Sequence, residues 1–346
     1  MAVFGDEEQQ RKVLLLFLPK IIINNNFMNI EETLVKLIKT PGVSGYETLG
    51  GISNQINDIC NKIPNVSAQQ DVMGNVTARK GRGDKVILLE AHLDEVGFMV
   101  SNVNPEKIQL LSIGNIDPGK VMDSSVTIVN RQNESVDANL GEDLTCPYIN
   151  GVSVGDWAFF KRNIIVNKQD ITSPALDNRV GCTSLLDVLR TIEANDSYTI
   201  VAFFSTQHEQ ASELSLVNML SEINPDFAII VDAAYAKPTQ MENWAIPELG
   251  KGPALQLIGQ GFIPNGQTIR LVENAANRRD ISYQFEIPDN KSGFTDAAKL
   301  PATLPFAVVN IPVRDQHTAF SMANVSDIAT TSSLIIAIIE TIAAAR

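Results

Sequence analysis

Scarcity in this sequence removes several classes of protein before any motif is read. Cysteine occurs three times in 346 residues, at Cys60, Cys146 and Cys182, far apart and without a Cys-x-x-Cys pair. Neither a disulfide framework nor a thiolate zinc site is indicated, and a reducing cytoplasm is the expected compartment. Basic residues are outnumbered, with 27 Lys and Arg against 40 Asp and Glu and a formal net charge of -13. Such a chain repels phosphate backbones, so general nucleic-acid binding is not expected. Long apolar runs are missing near the start, where the most apolar segment, Val13 to Ile23, contains Pro19 and Lys20. It is too short to cross a bilayer. It also lacks the leading basic region of a signal peptide, because Asp6, Glu7 and Glu8 precede it, and no membrane association is expected. Three catalytic signatures are absent as well. Ser212 stands where a His-Glu-x-x-His helix beginning at His208 needs its second histidine, and the chain has neither a Gly-x-Ser-x-Gly elbow nor a GxxxxGK phosphate loop.

What is present is a chain 44% hydrophobic and 19% charged, long enough for a substantial core and about two domains. Residues 1–27 read as an N-terminal extension whose order the composition leaves open, because the globular pattern begins near Met28 and Asn29. Helical spacing in IEETLVKLI (Ile30 to Ile38) is stopped by the turn TPGVSGYE, and KVILLEA (Lys85 to Ala91) has the near-continuous apolarity of a strand covered on both faces. From Phe98 the texture changes to short runs such as KIQLLSI, SSVTIVN and DWAFFKR separated by Asn, Asp, Pro and Gly, the signature of a small all-β unit. Helices and apolar strands alternate again after Asp170. The expected architecture is an α/β domain, residues 28–97 and 168–346, with a mostly parallel central sheet and flanking helices. A β insertion at 98–167 interrupts it.

In open α/β sheets ligands bind beyond the carboxyl ends of the strands. Four apolar runs end in chemistry-bearing residues: KVILLE before His92, Asp94 and Glu95; TIVAFFST before His208 and Glu209; DFAIIV before Asp232; and FAVVNIPV before Asp315 and His317. Taken singly, each polar residue reads as a turn former or helix cap. Taken together, they account for all three histidines of the chain, each beside a carboxylate. Asp177 joins them where a helix begins, a position the helix dipole also favours. Imidazoles among carboxylates suit zinc, cobalt or manganese and are too nitrogen-rich for calcium. More ligands than one tetrahedral ion needs point to a two-metal centre with a bridging carboxylate.

In this order, the segments TPGVSGYE, DVMGNV, AHLDEVGFMV, ALDNRVG, QHEQ, VDAAYA, LGKGPAL, GFTDAAKL and PVRDQHTAFSM resemble the cytosolic dinuclear metallo-aminopeptidases. That family includes glutamyl aminopeptidase and the self-compartmentalising tetrahedral aminopeptidases, and some members carry an endoglucanase label. The resemblance runs from Asn29 to the C-terminus. It implies a zinc-peptidase-like fold and removal of N-terminal residues from peptide substrates. It also implies two divalent ions, zinc or cobalt first and manganese next, and a homo-oligomer built from dimers through the β insertion, up to a dodecamer. The matching positions imply His92, Asp177, Glu209, Asp232 and His317 as metal ligands, with Asp177 bridging. Asp94 is implied as the acid that orients the His92 imidazole.

One departure falls on the catalytic position. The family has two adjacent glutamates after the Gln, the first a general base and the second a ligand, and here the first is His208. The stretch from Gln210 to Leu214 has also drifted, and Asn178 stands where an Asp is common. An imidazole can accept a proton, but two nearby cations disfavour its charged form. Three outcomes follow: a slower peptidase that uses His208, a metal-binding homologue acting as scaffold or regulatory subunit, or an enzyme retuned to another amide.

Overall fold

Apolar runs broken by Gly and Pro turns build two sheets in the computed structural model, which describes residues 29–210, 214–238, 246–288 and 294–344. The N-terminal extension, residues 211–213 and Gly293 lie outside the described residues. Helix α1 (Ile30–Lys39) begins at Asn29, whose side chain accepts the Glu32 amide while Glu32 accepts that of Asn29. This capping box satisfies donors that a helix start leaves open. Helix α2 (Ile52–Cys60) follows the Pro-Gly turn.

Strands β1 (Val66–Gln70), β2 (Val76–Gly81) and β3 (Lys85–His92) open the larger sheet. The chain then enters a six-stranded antiparallel sheet of β4 (Gly97–Val103), β5 (Lys107–Ile113), β6 (Ser125–Val129), β7 (Ser135–Asn139), β8 (Thr145–Pro147) and β9 (Trp157–Phe160). It returns through β10 (Ile165–Asn167), β11 (Asp170–Thr172), α3 (Leu176–Thr191), β12 (Tyr198–Ser205), α4 (Leu214–Ile223), β13 (Phe227–Ile230) and β14 (Ala233–Tyr235). The last part contains β15 (Ala254–Gln256), α5 (Gly266–Arg278), β16 (Gln284–Glu286), β17 (Phe306–Arg314), β18 (Met322–Asn324) and α6 (Val325–Ala344).

The larger sheet is mixed. Its centre, β12-β3-β13-β17, is parallel, and antiparallel strands occupy both margins. The expected α/β sheet with a small all-β insertion is therefore the observed architecture, with parallel pairing confined to the covered middle, as its apolar strands require. Strand β10 pairs with β11 in the larger sheet, although its residues fall in the last positions of the segment read as insertion. Parallel register aligns the strand ends: Ser205 lies beside His92, and Ile230 beside Glu90. Helix α6 is long and apolar enough to span a membrane by length and composition. In this fold Ile328, Leu334, Ile335, Ile338 and Ile339 are fully buried in the main core.

The two sheets meet at a buried charge. Glu95 Oε1 accepts the Gly42 amide at 2.8 Å and pairs with Arg179 at 3.1 Å and with Arg162, which follows the insertion's last strand. Trp157 stacks on Tyr46 with ring centroids 5.1 Å apart. Gly97 makes this approach possible, because a Cβ there would lie 2.5 Å from Val43 and 2.7 Å from the Ala158 carbonyl. Glu95→Gln leaves the fully buried Arg179 without its counter-charge. Breaking one side of a buried pair costs about 3–5 kcal/mol, so urea denaturation is expected to show a loss of that size. A loss under about 1 kcal/mol would mean that the junction behaves as a surface ion pair.

Candidate metal centre

Five separated segments converge where the parallel strands end. His92 closes β3, Glu209 and His208 follow β12, Asp232 follows β13, His317 follows β17 and Asp177 lies in the first turn of α3. Ala175, Gln207 and His317 all have positive φ. A non-glycine residue in the left-handed region costs of order 1 kcal/mol, and such strain collects at functional sites. Asp94, fully buried, pins the turn after β12: its carboxylate accepts the amides of His208 and Glu209, each at 3.1 Å, and the Ser44 hydroxyl.

The Asp177 carboxylate lies between two imidazoles. Its Oδ1 is 3.2 Å from His92 Nε2 and its Oδ2 is 3.2 Å from His317 Nε2. His92 Nε2 is also 3.3 Å from Asp232 Oδ1, and His317 Nε2 is 3.5 Å from Glu209 Oε1. Nitrogen and oxygen ligands about 2.0–2.2 Å from a tetrahedral ion are roughly 3.3–3.6 Å from one another. The observed spacings fall in or beside that range, and two sets, His92-Asp177-Glu209 and His92-His208-Asp232, have ligand atoms all within 4.8 Å. Glu209 Oε1 and His92 Nδ1 are buried without a hydrogen-bond partner, the latter 3.5 Å from Asp94 Oδ1. The donor set therefore fits a divalent ion.

Electrostatics carry the same demand for positive charge. Burial alone would raise Asp177, yet hydrogen bonds from His317 and His92 hold it well below the usual carboxylate range. Burial would likewise lower His92 and His317, but Asp177 and Asp232 around the first, and Glu209 and Asp177 around the second, raise both well above an ordinary imidazole. His208 stacks on His92 with centroids 4.0 Å apart and binds Asp296 Oδ1 through Nδ1 at 2.8 Å. Its Nε2 is 4.0 Å from Asp232 Oδ2. Burial and the neighbouring His92 push His208 down, but Asp296 and Asp232 outweigh them and hold it up to about 10.

Several site residues escaped the sequence reading. Glu90 sits inside the apolar strand β3, where burial and Asp296 raise it well above its ordinary value, and its Oε1 accepts the Ser205 hydroxyl at 2.6 Å. Asp296, within the segment GFTDAAKL, faces His208. A cavity of about 250 Å³ opens from the cluster and is lined by Asp177, Asp232, His208 and His317 on one side and by Gln256, Glu286 and Asn310 as well. The last three were not anticipated: Asn310 interrupts an apolar strand, whereas Gln256 and Glu286 end strands of three residues. A larger surface cleft of about 900 Å³ near Lys251 and Asp327 has no histidine in its lining.

Mixed-sheet fold, β insertion and candidate metal-binding cluster together define a metallo-aminopeptidase architecture. The chain belongs to the M42 glutamyl aminopeptidase family, whose sequence model matches residues 74–143 and 148–334. It is similar to the lysyl aminopeptidase of Pyrococcus furiosus, 25% identical over 343 residues that cover 89% of this chain and 96% of the relative. Among solved structures it superposes on an aminopeptidase from the archaeon Desulfurococcus kamchatkensis with TM-score 0.82 and 22% identity, covering 90% and 94% of the two chains. It also matches the TET1 peptidase of Pyrococcus horikoshii, described as assembling into a tetrahedron or an octahedral shell, with TM-score 0.76, 21% identity and coverage of 89% and 98%. Homologues thus form large closed assemblies, one of them solved as a dodecamer.

Burial raises Glu286 to about 7, with the Asn310 hydrogen bond offsetting only part of the effect. Between about pH 4.3 and 7 the folded chain therefore holds a proton that the unfolded chain has released, and stability falls as pH rises through that window. Relative to Glu286→Gln, the metal-free wild type is expected to lose up to about 1.4 kcal/mol per pH unit there and to level off above it. Urea denaturation at pH 5, 6, 7 and 8 measures the difference, and parallel curves for the two proteins would contradict the assignment.

Proposed function

We propose that this chain is a metal-dependent aminopeptidase that removes N-terminal residues from peptides through a dinuclear centre. The observation that carries the reading is the Asp177 carboxylate, with one oxygen 3.2 Å from His92 Nε2 and the other 3.2 Å from His317 Nε2. His92, Asp177 and Asp232 would hold one ion, and Asp177, Glu209 and His317 the other, with zinc or cobalt preferred and manganese accommodated. When bound, such a pair supplies Lewis acidity and lowers the pKa of a water molecule towards neutrality. Asp94 positions the site by fixing the amides of His208 and Glu209.

We read His208 as standing where the family resemblance implies a general-base glutamate, and its hydrogen bond to Asp296 supports a role in proton transfer. Nδ1 is engaged by Asp296 at 2.8 Å, which leaves Nε2 on the side of Asp232, whose Oδ2 is 4.0 Å away. With Nδ1–H donated to Asp296, Nε2 is the atom that accepts a proton and returns it to the leaving amine. A buried imidazole beside cations is a weaker acceptor than a carboxylate, so this enzyme is read as a slower peptidase than members with glutamate at this position.

Cytoplasmic residence is supported by three buried free thiols. A homo-oligomer is supported by exposed apolar side chains on the insertion, including Leu111, Met122, Tyr148 and Val154, which a partner subunit would cover. A second reading, a metal-binding homologue acting as scaffold or regulatory subunit, is favoured by the His92-His208-Asp232 cluster, in which His208 would itself hold an ion.

Metal analysis combined with hydrolysis of aminoacyl-anilides in added zinc, cobalt or manganese tests the proposal. Two ions per chain are expected, with stabilisation of about 2.7 kcal/mol for each ion at a hundredfold excess over its Kd. Asp177→Ala is expected to lose both ions and all measurable turnover. A fully loaded chain that cleaves no member of a peptide library would overturn the peptidase reading. Separately, His208→Glu is expected to raise kcat by about 10²-fold at pH 7, within the usual range for general-base catalysis. No gain with both ions bound would assign His208 to metal binding.

A further inference from the structure

The cavity beside the candidate metal centre ends in a cluster of polar side chains that no step above uses. Gln256, Glu286 and Asn310 come from adjacent strands β15, β16 and β17, with Gln256 opposite Glu286 and Ala254 opposite Asn310. All three are at least nine-tenths buried: Gln256 is 0% exposed, Asn310 2% and Glu286 4%. Asn310 Nδ2 donates to Glu286 Oε2 at 2.8 Å and to Gln256 Oε1 at 3.0 Å, which occupies both of its hydrogens. Gln256 Nε2 is turned away, donating to the Ile258 carbonyl at 3.1 Å.

Among the described residues, the arrangement presents acceptors and no counter-charge. Asn310 Oδ1 is buried without a partner. Among the described residues, the interactions that reach the Glu286 carboxylate are the Asn310 hydrogen bond and the like charge of Asp232, with no cation among them. A buried carboxyl in this state keeps its proton up to about neutral pH, and a cation that pairs with it favours the ionised form. Here the cavity gives a cation access to it.

Resting on the peptidase reading above, we propose that Glu286, with Asn310 Oδ1 beside it, is a specificity subsite that selects peptides whose N-terminal residue carries a cationic side chain, lysine or arginine. The α-ammonium group is the competing occupant. It is attached to the carbon next to the reacting carbonyl, which keeps it close to the reacting centre. Among the described residues, no hydrogen bond or ion pair joins Glu286 to any of the candidate ligands, and a lysyl or arginyl side chain extends further from the reacting carbonyl than the α-ammonium does. The cavity of about 250 Å³ has room for roughly eight water-sized groups at about 30 Å³ each, and a lysyl side chain needs about five. Acidic N-terminal residues are disfavoured, because a second carboxylate would face Glu286 with no cation between them.

The test compares lysine with norleucine, which has a similar aliphatic stem and lacks the charge. The full-length chain loaded with zinc is assayed with lysyl-, arginyl-, norleucyl- and glutamyl-anilides, and binding of L-lysinamide and L-norleucinamide is measured by calorimetry. Lysyl over norleucyl selectivity of about 10²-fold in kcat/KM is expected, with a matching preference in binding and the glutamyl substrate poorest. In Glu286→Gln, whose amide oxygen can still accept from Asn310, the selectivity is expected to fall to within about threefold. A wild-type ratio within about threefold, or a ratio that survives in the variant, overturns the proposal. The wild-type comparison decides by itself should the variant fail to fold. Cleavage without preference removes the subsite and leaves the peptidase reading standing. Tighter binding of lysinamide without cleavage keeps the subsite and removes the peptidase reading, whereas absence of both removes the two together.

Discussion

The structure turns on the need for positive charge in a buried cluster of carboxylates. Asp94, Asp177, Asp232 and Asp296 come from different segments of the chain and are at least nine-tenths buried or beside groups that are. In the absence of metal, His92, His208 and His317 supply the balancing charge, which is why all three are raised above an ordinary imidazole. Protons on imidazoles and divalent ions therefore compete for one electrostatic role. The backbone maintains this crowding through positive φ at Ala175, Gln207 and His317, strain that the packed sheet beneath must offset.

Parallel pairing makes the crowding possible. Because β12, β3 and β13 run in register, Ser205 and His92 end at the same level and Asp232 emerges one strand away. Asp94 then converts strand register into side-chain placement by holding two successive amides after β12. At the other boundary, Glu95 joins the insertion to the α/β sheet through Arg162 and Arg179. Two adjacent acids on one turn thus do different work, one orienting the candidate metal centre and the other fixing the insertion beside it.

Sequence pattern exposed the part of the site that depends on strand ends. An apolar run followed by His, Asp or Glu is visible without coordinates, and the segments carrying His92, Asp177, Glu209, Asp232 and His317 do meet at one sheet edge. The alternation of helices and apolar strands likewise exposed the α/β sheet and its β insertion. Pattern alone did not expose the antiparallel margins, because a short strand such as Ile165–Asn167, all of it exposed, has no apolar run to announce its partner. Nor did it expose the groups within strands. Glu90 in KVILLEA and Asn310 in FAVVNIPV each interrupt an otherwise apolar strand. A buried polar residue at such a place needs a partner, and that inconsistency was the available signal. Which partner it meets depends on cross-sheet geometry that spacing does not encode.

His208 illustrates how a buried imidazole is held by its surroundings. The imidazole lies flat against His92 and has Asp296 behind it, and Asp296 in turn lies beside Ser205 and Glu90. Burial and the charge of Asp296 favour a proton on Glu90, while His208 keeps Asp296 ionised. The two carboxyl groups are therefore pushed to opposite protonation states by their neighbours, the arrangement that lets buried acids coexist at short range. An imidazole with its Nδ1 fixed in this way has one ring nitrogen left for chemistry, Nε2, which lies 4.0 Å from Asp232 Oδ2. Whether it takes a proton or an ion, the same hydrogen bond to Asp296 orients it.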